Sequence, residues 1–163
     1  MKVFKDMDAA SKPSKEKLAA VQFNNVVVEA QRKLRAIGAR VAGGAQAPRT
    51  VAELVATLRK ASTELDQAIK AVEAEMKSWK VPDSEEARAL LAAFRKCLQG
   101  YRELTERDIP EFLRVVQARG EASEKESRIR AIAERIQATE EANLKALQQA
   151  QKDFARRNGI PLR

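Results

Sequence analysis

The chain has 163 residues, a net charge of +8 and no histidine. Apolar residues make up 44% but aromatic residues only 4%, with six Gly and five Pro, which is typical of long packed helices and not of a β-sandwich or a disordered chain. The lack of histidine excludes Ser-His-Asp and Cys-His nucleophilic sites, His-ligated haem and His-ligated zinc.

The first residues are expected to form a basic lead, followed by a first helix. Residues 1–13 contain no apolar segment of the kind that a secretory signal needs. We expect these residues to form a mobile lead. Ser11 or Ser14 can cap the helix. Its apolar residues fall in two rows spaced by seven: Phe23, Ala30 and Ile37, and Ala20, Val27, Leu34 and Val41. The pattern predicts an amphipathic helix over about 14–42.

The second helix has the clearest pattern in the chain. Apolar rows again recur every seven residues: Val51, Leu58, Leu65, Val72 and Trp79, with Val55, Ile69 and Met76 alongside. Thr50 and Glu53 have the spacing of a capping box, and Pro82 is expected to stop the helix. We therefore predict a helix over about 50–80, with a stripe suited to packing in a bundle.

The third helix, over about 84–118, starts at an Asp83 or Ser84 cap and is interrupted near Pro110. Its rows are Leu91, Leu98, Thr105 and Phe112, and Ala87, Phe94, Tyr101, Asp108 and Val115. Asp108 is unexpected on an inner row, because its side chain is charged and the other positions of a buried row are mostly apolar. We interpret it as a local N-cap, with Glu111 as its box partner, that restarts a kinked helix; a full break there would give five helices.

The fourth helix is predicted over about 122–158, and residues 159–163 form a tail. Its stripe is Ile129, Ile132, Ile136, Leu144, Leu147 and Phe154, and it is weak at Thr139, Glu140 and Asn143. Asn158-Gly159-Ile160 is a strong stop signal, with Gly159 suited to the left-handed position. Four helices of about 30–36 residues joined by short loops predict an all-α, antiparallel, up-down-up-down four-helix bundle in a single domain over 14–158.

No residue pattern indicates catalysis, and we predict a non-enzymatic protein without a cofactor. An all-carboxylate metal site stays open, with Asp108 and Glu140 nearest the inner rows, although a cap and a surface position explain them as well. Cys97 is expected to be a small, partly buried hydrophobe. Trp79 and Tyr101 are the remaining candidates for a ligand pocket, with core packing as the simpler interpretation. Whether the inner polar residues Ser62, Thr105, Thr139 and Asn143 form a pocket stays open.

The basic excess is concentrated early in the chain, where residues 1–49 hold ten Lys or Arg against four Asp or Glu. Candidate contacts with an acidic partner are Lys15, Lys17, Arg32, Lys33, Arg35 and Arg40. Nucleic acid or an anionic membrane surface is a weaker alternative, because no recognition motif accompanies the charge. No apolar run reaches the roughly 20 residues that span a bilayer, and a single cysteine favours the cytoplasm.

These patterns lead to two functional hypotheses. The first is an interaction or structural protein that contacts protein partners, or a second copy of itself, through a helix face of its coiled-coil-like bundle. The alternative is a bundle that binds a small apolar ligand or a carboxylate-held metal between its helices.

Overall fold

Four helical rods make up the described part of the chain, which comprises residues 13–46 and 50–162 of the computed structural model. The elements are α1 (Lys15–Gln46), α2 (Val51–Met76), α3 (Glu85–Glu103), a π-helical segment (Leu104–Asp108), α4 (Ile109–Gln117) and α5 (Ala122–Asn158). The third rod runs from α3 through the π-helical segment into α4 without a break. No strand occurs within these residues, and the predicted all-α four-helix bundle is confirmed.

Side-chain caps start three of the helices where the sequence predicts them. The Ser14 hydroxyl accepts a hydrogen bond from the Lys17 amide (3.1 Å), and the Ser84 hydroxyl accepts one from Ala87 (3.1 Å). Thr50 and Glu53 form the predicted capping box. Each cap satisfies a backbone amide that the first helical turn leaves unpaired.

Two predicted helix ends differ from the structure. α1 continues to Gln46, and α2 ends at Met76 and not at Lys80. After Met76 the backbone forms a tighter turn than an α-helix, because the amides of Ser78 and Trp79 donate to carbonyls three residues earlier. The predicted lead over 1–13 lies outside the described residues except for Pro13.

The predicted seven-residue rows form the core. Leu58, Leu65 and Val72 in α2 are at most 2% exposed. All five members of one α3–α4 row, from Ala87 to Val115, are buried. Val51 is an exception: it is 52% exposed, because it is the first residue of α2 and lies at the end of the bundle.

Four aromatic side chains pack together in one half of the bundle. The Phe23 ring meets Phe154 edge-on at 5.6 Å and Trp79 at 6.5 Å, and Trp79 lies 5.5 Å from Phe94. Such edge-to-face pairs contribute beyond their buried area. We refer to these four residues as the aromatic cluster.

The contacts between the third rod and α5 run in opposite directions along the two helices. The Arg157 side chain reaches Glu86 (3.2 Å), the Asn143 amide donates to the Lys96 carbonyl (3.2 Å), and Arg135 pairs with Asp108. Positions that advance along the third rod therefore meet positions that retreat along α5, as in an antiparallel pair. The up-down-up-down order of the whole bundle stays a prediction.

Two glycine substitutions are expected to change stability in opposite directions. Gly159 has φ +60°, and the Ile160 amide donates to the Ala155 carbonyl in the predicted C-terminal motif. Gly159→Ala should cost about 1 kcal/mol, because a Cβ disfavours that left-handed conformation. Gly43→Ala should instead stabilise by up to about 1 kcal/mol, because Gly43 is helical and a Cβ there meets no atom within 4 Å. Urea denaturation measures both changes, and equal signs would contradict this account.

Candidate functional site

A cleft of about 760 Å³ lies between the four rods, with α1, the third rod and α5 forming most of its wall and α2 contributing Leu54 and Leu58. It lies away from the aromatic cluster, and none of those four residues lines it. Apolar side chains form most of the wall: Val41, Leu54, Leu58, Leu104, Ile109, Phe112, Val116, Ile129, Ile132, Ile136 and Leu144.

Along the cleft, α5 leaves part of its apolar stripe incompletely covered, although Ile132 within this stretch is only 2% exposed. Ile129, Ile136 and Leu144 are only half-buried, although they lie on the stripe that the sequence predicts. Further along the same stripe, Leu147 and Phe154 are 5% and 0% exposed. The apolar pattern therefore continues beyond the region where neighbouring helices cover it.

The π-helical segment forms part of the cleft floor through Leu104 and Asp108. The Ile109 amide donates to the Leu104 carbonyl, five residues earlier, where an α-helix would use four. Pro110 follows directly; it has no amide hydrogen, and in an α-helix its ring would collide with the carbonyl four residues before it. The wider turn accommodates the proline without ending the rod.

Asp108 does not act as the predicted N-cap. Its backbone is helical and its side chain makes no cap hydrogen bond. Instead, Oδ1 accepts hydrogen bonds from Arg135 Nη2 (2.7 Å), Arg135 Nε (3.1 Å) and Arg107 Nε (3.0 Å). The prediction was wrong because an inner-row carboxylate at this position is held by guanidinium groups from its own rod and from α5.

The arginines neutralise Asp108 within the cleft wall. The Asp108 side chain is only 5% exposed, and Arg135 also bonds Glu111 (2.6 Å). Hydrogen bonds to Glu111 and Asp108 raise the pKa of the Arg135 guanidinium, which therefore stays charged. A paired carboxylate of this kind presents no free charge to a ligand.

Gln31 and Tyr101 are polar residues of the cleft wall on α1 and the third rod. Both amide atoms of Gln31 are shielded from solvent, and the Gln31 side chain interacts with the Tyr101 hydroxyl as a hydrogen-bond partner. Burial, with smaller contributions from the Glu140 carboxylate and Cys97, raises the pKa of the Tyr101 hydroxyl to about 12, while a hydrogen bond with Gln31 and the charge of Arg35 oppose this rise in part. The Tyr101 ring packs closely on α1, since a Cβ on Gly38 would lie 3.2 Å from its Cε1.

A second amide side chain on the buried side of α1 reaches α5. Asn24, another buried amide side chain on the same helix, accepts a hydrogen bond from Gln151 of α5 (3.3 Å). The sequence analysis missed Gln31. A signal was present, because it lies four residues after Val27 and three before Leu34, and thus beside the buried stripe.

The four inner polar residues divide into two groups. Thr139 and Asn143 line the cleft, whereas Ser62 and Thr105 do not. Thr105 donates to the Arg102 carbonyl (3.0 Å), the local bond expected for a tolerated hydroxyl. The structure therefore places half of this set at a common site, with the amide of Asn143 already occupied by the Lys96 carbonyl.

Cys97 is buried, as predicted, and its thiol donates to the Asn143 carbonyl (3.6 Å). Burial raises the pKa of this thiol from 9.0 to about 11. At neutral pH it is therefore protonated and a weak nucleophile.

Alkaline pH is expected to destabilise the protein partly through Cys97 and Tyr101. Both groups hold their protons more tightly in the folded state, so their contribution is complete below pH 9 and is lost as pH rises through 11 to 12. The free energy of unfolding should fall over that range. Cys97→Ala should make the fall between pH 9 and 11 smaller, as measured by urea denaturation; an unchanged slope would contradict this assignment.

The basic residues of the first helix do not share one face. At about 100° per residue, Lys17 and Arg35 lie on one side of α1, roughly 160° from Lys15 and Lys33 on the other. Arg32 points away from the buried face, and Arg40 lies on the same side as Lys33 and pairs with Glu64 (3.3 Å). All six residues are exposed, and their role as anion or partner contacts stays a prediction.

Neither metal-binding groups nor membrane spans are found in the described part of the chain. No cluster of three or more Cys, Asp or Glu side chains that could hold a metal ion occurs in residues 13–46 and 50–162. Over the same ranges no helix is both long and apolar enough to cross a bilayer.

Comparisons with protein-family models, curated proteins and solved structures found no match to this chain.

Proposed function

We propose that this protein is a non-enzymatic binding protein that holds an elongated apolar small molecule in the cleft between its four rods. The observation that carries the proposal is the cleft itself. Its volume of about 760 Å³ falls in the range of roughly 300–1,000 Å³ found for small-molecule sites, which are mostly apolar with a few polar groups.

The walls of the cleft support an apolar occupant. Ile129, Ile136 and Leu144 are partly exposed there, so a ligand that covers them gains the hydrophobic free energy that the bundle leaves unused. The ion pair of Asp108 with Arg135 presents no unpaired charge that would attract an ionic ligand.

A protein-interaction role is the second candidate, and the same uncovered stripe favours it. The segment from Ile129 to Leu144 extends about 22 Å along α5, enough to receive a helix from a partner or a second copy. This proposal includes acidic partner proteins that contact the exposed basic residues on α1. It also includes a cytoplasmic location. It predicts concentration-dependent association in analytical ultracentrifugation, whereas the small-ligand proposal predicts a saturable site on the monomer.

A titration with the neutral fluorescent dye Nile red tests the small-ligand proposal. We expect saturable binding of one dye per chain. Ala133 is exposed and lines the cleft, so Ala133→Trp should fill the cleft and weaken binding by at least about 10-fold, equivalent to 1.4 kcal/mol.

The matched control is Ala138→Trp, an exposed position on the same helix that does not line the cleft. It should bind the dye like the unmodified protein. Dye binding that is absent, non-saturable, or equally affected by both substitutions would overturn the proposal.

A further inference from the structure

We infer that the cleft binds cationic amphiphiles, molecules with one alkyl chain and a terminal ammonium group, and that Glu140 holds the ammonium. This inference rests on the proposed function, which leaves the polar group of the ligand open. Among the described residues, the charged side chains that line the cleft are Asp108 and Glu140, and both are acidic. No lysine or arginine of those residues lines it, although the chain carries a net charge of +8.

Of these two carboxylates, Glu140 is the one that a ligand can pair with. Asp108 is buried, and Arg107 and Arg135 already balance its charge. Glu140 is exposed, and its carboxylate forms no hydrogen bond or ion pair within residues 13–46 and 50–162. It follows Ala133 by seven residues, which puts both side chains on the same side of α5, where they line the cleft. A cation bound there can keep part of its hydration while it contacts the carboxylate.

The charges that act on the neighbouring Tyr101 hydroxyl favour a cation as well. After burial, the Glu140 carboxylate has the largest influence on the pKa of this hydroxyl, and it raises that pKa more than the charge of Arg35 lowers it. Arg35 lies on α1 and does not line the cleft. An ammonium group is therefore attracted to this part of the wall, whereas a carboxylate is repelled.

The two ends of the cleft differ in polarity, and this difference sets the direction of the ligand. Because α5 and the third rod are antiparallel, Ile129 lies at the same end as Phe112 and Val116, and all three are apolar. Glu140 lies roughly 16 Å from Ile129 along α5. A ten-carbon chain, at most about 14 Å long with C–C bonds of about 1.5 Å, fits between them. We therefore expect the chain at the apolar end and the ammonium beside Glu140.

Displacement of Nile red by decylammonium, decan-1-ol and decanoate at pH 7.5 tests this inference. Because the three compounds share one chain length, differences in affinity report on the charge of the polar group. We expect decylammonium to bind about 3-fold more tightly than decan-1-ol, as for an exposed ion pair, and decanoate to bind more weakly than the alcohol. Salt at about 0.15 M screens the distant basic residues, which would otherwise favour decanoate.

Glu140→Gln removes the charge and keeps the size of the side chain. It should abolish the preference for decylammonium over decan-1-ol while Nile red still binds. Glu134→Gln is the matched control, because Glu134 is exposed on the same helix and does not line the cleft. It should leave the order of the three compounds unchanged.

Two results would overturn the inference alone, with Nile red binding retained and weakened by Ala133→Trp. One is binding of decan-1-ol or decanoate at least as tight as that of decylammonium. The other is a preference for decylammonium that persists in Glu140→Gln or is lost equally in Glu134→Gln. Failure of Nile red to bind the cleft would instead overturn the proposed function as well.

Discussion

Replacing Phe154 by alanine is expected to lower the free energy of unfolding by about 3–5 kcal/mol. Phe154 is fully buried, and its ring meets Phe23 edge-on at 5.6 Å across α1 and α5. The substitution removes the ring from the well-packed half of the bundle and leaves a space that its neighbours cannot fill. Chemical denaturation followed by far-UV circular dichroism measures the change.

Lys152→Ala is the control for this prediction, because Lys152 is exposed on the same helix. It should change stability by less than about 0.5 kcal/mol. Comparable losses from the two substitutions would contradict the packing of α5 described above.

Replacing Arg135 by methionine is expected to cost about 2 kcal/mol, between the values for exposed and fully buried ion pairs, because Asp108 is buried but the Arg135 side chain is 38% exposed. The cost arises at Asp108, whose side chain is 5% exposed and would lose two of its three hydrogen bonds. Arg107 would remain, which keeps the loss below that of an isolated charge. Methionine retains much of the apolar stem, so the change reports on the charge more than on packing.

Arg130→Met is the matched control on the same helix. Arg130 pairs with Glu126 at 3.2 Å, but both side chains are largely exposed, so its loss should cost less than about 0.5 kcal/mol. If both arginines proved equally dispensable, Asp108 would not depend on Arg135 in the way the contacts indicate.

The seven-residue rows predicted most of the fold, because the apolar face of each helix is set by local periodicity alone. Leu58, Leu65 and Phe94 occupy the predicted core positions, and Ser14, Thr50 and Ser84 cap the helices as their spacing indicates. These features follow from the residues themselves and the geometry of one helix.

The cleft could not be predicted in this way, because it depends on the distance between helices. Ile136 and Leu144 have the same pattern as Leu147, yet only Leu147 is fully covered. The role of Asp108 was missed for a related reason. Its partner Arg135 is 27 residues away in sequence, and only packing of α5 on the third rod brings the two together.

The most direct measurement of the central claim is methyl NMR of the labelled protein titrated with decan-1-ol. Binding in the cleft predicts shift changes at Ile129, Ile136 and Leu144, and intermolecular contacts from these methyl groups to the alkyl chain. Leu65 and Leu90, which do not line the cleft, should stay unperturbed. Shifts spread evenly over the core, or no saturable change at the three cleft residues, would contradict the account.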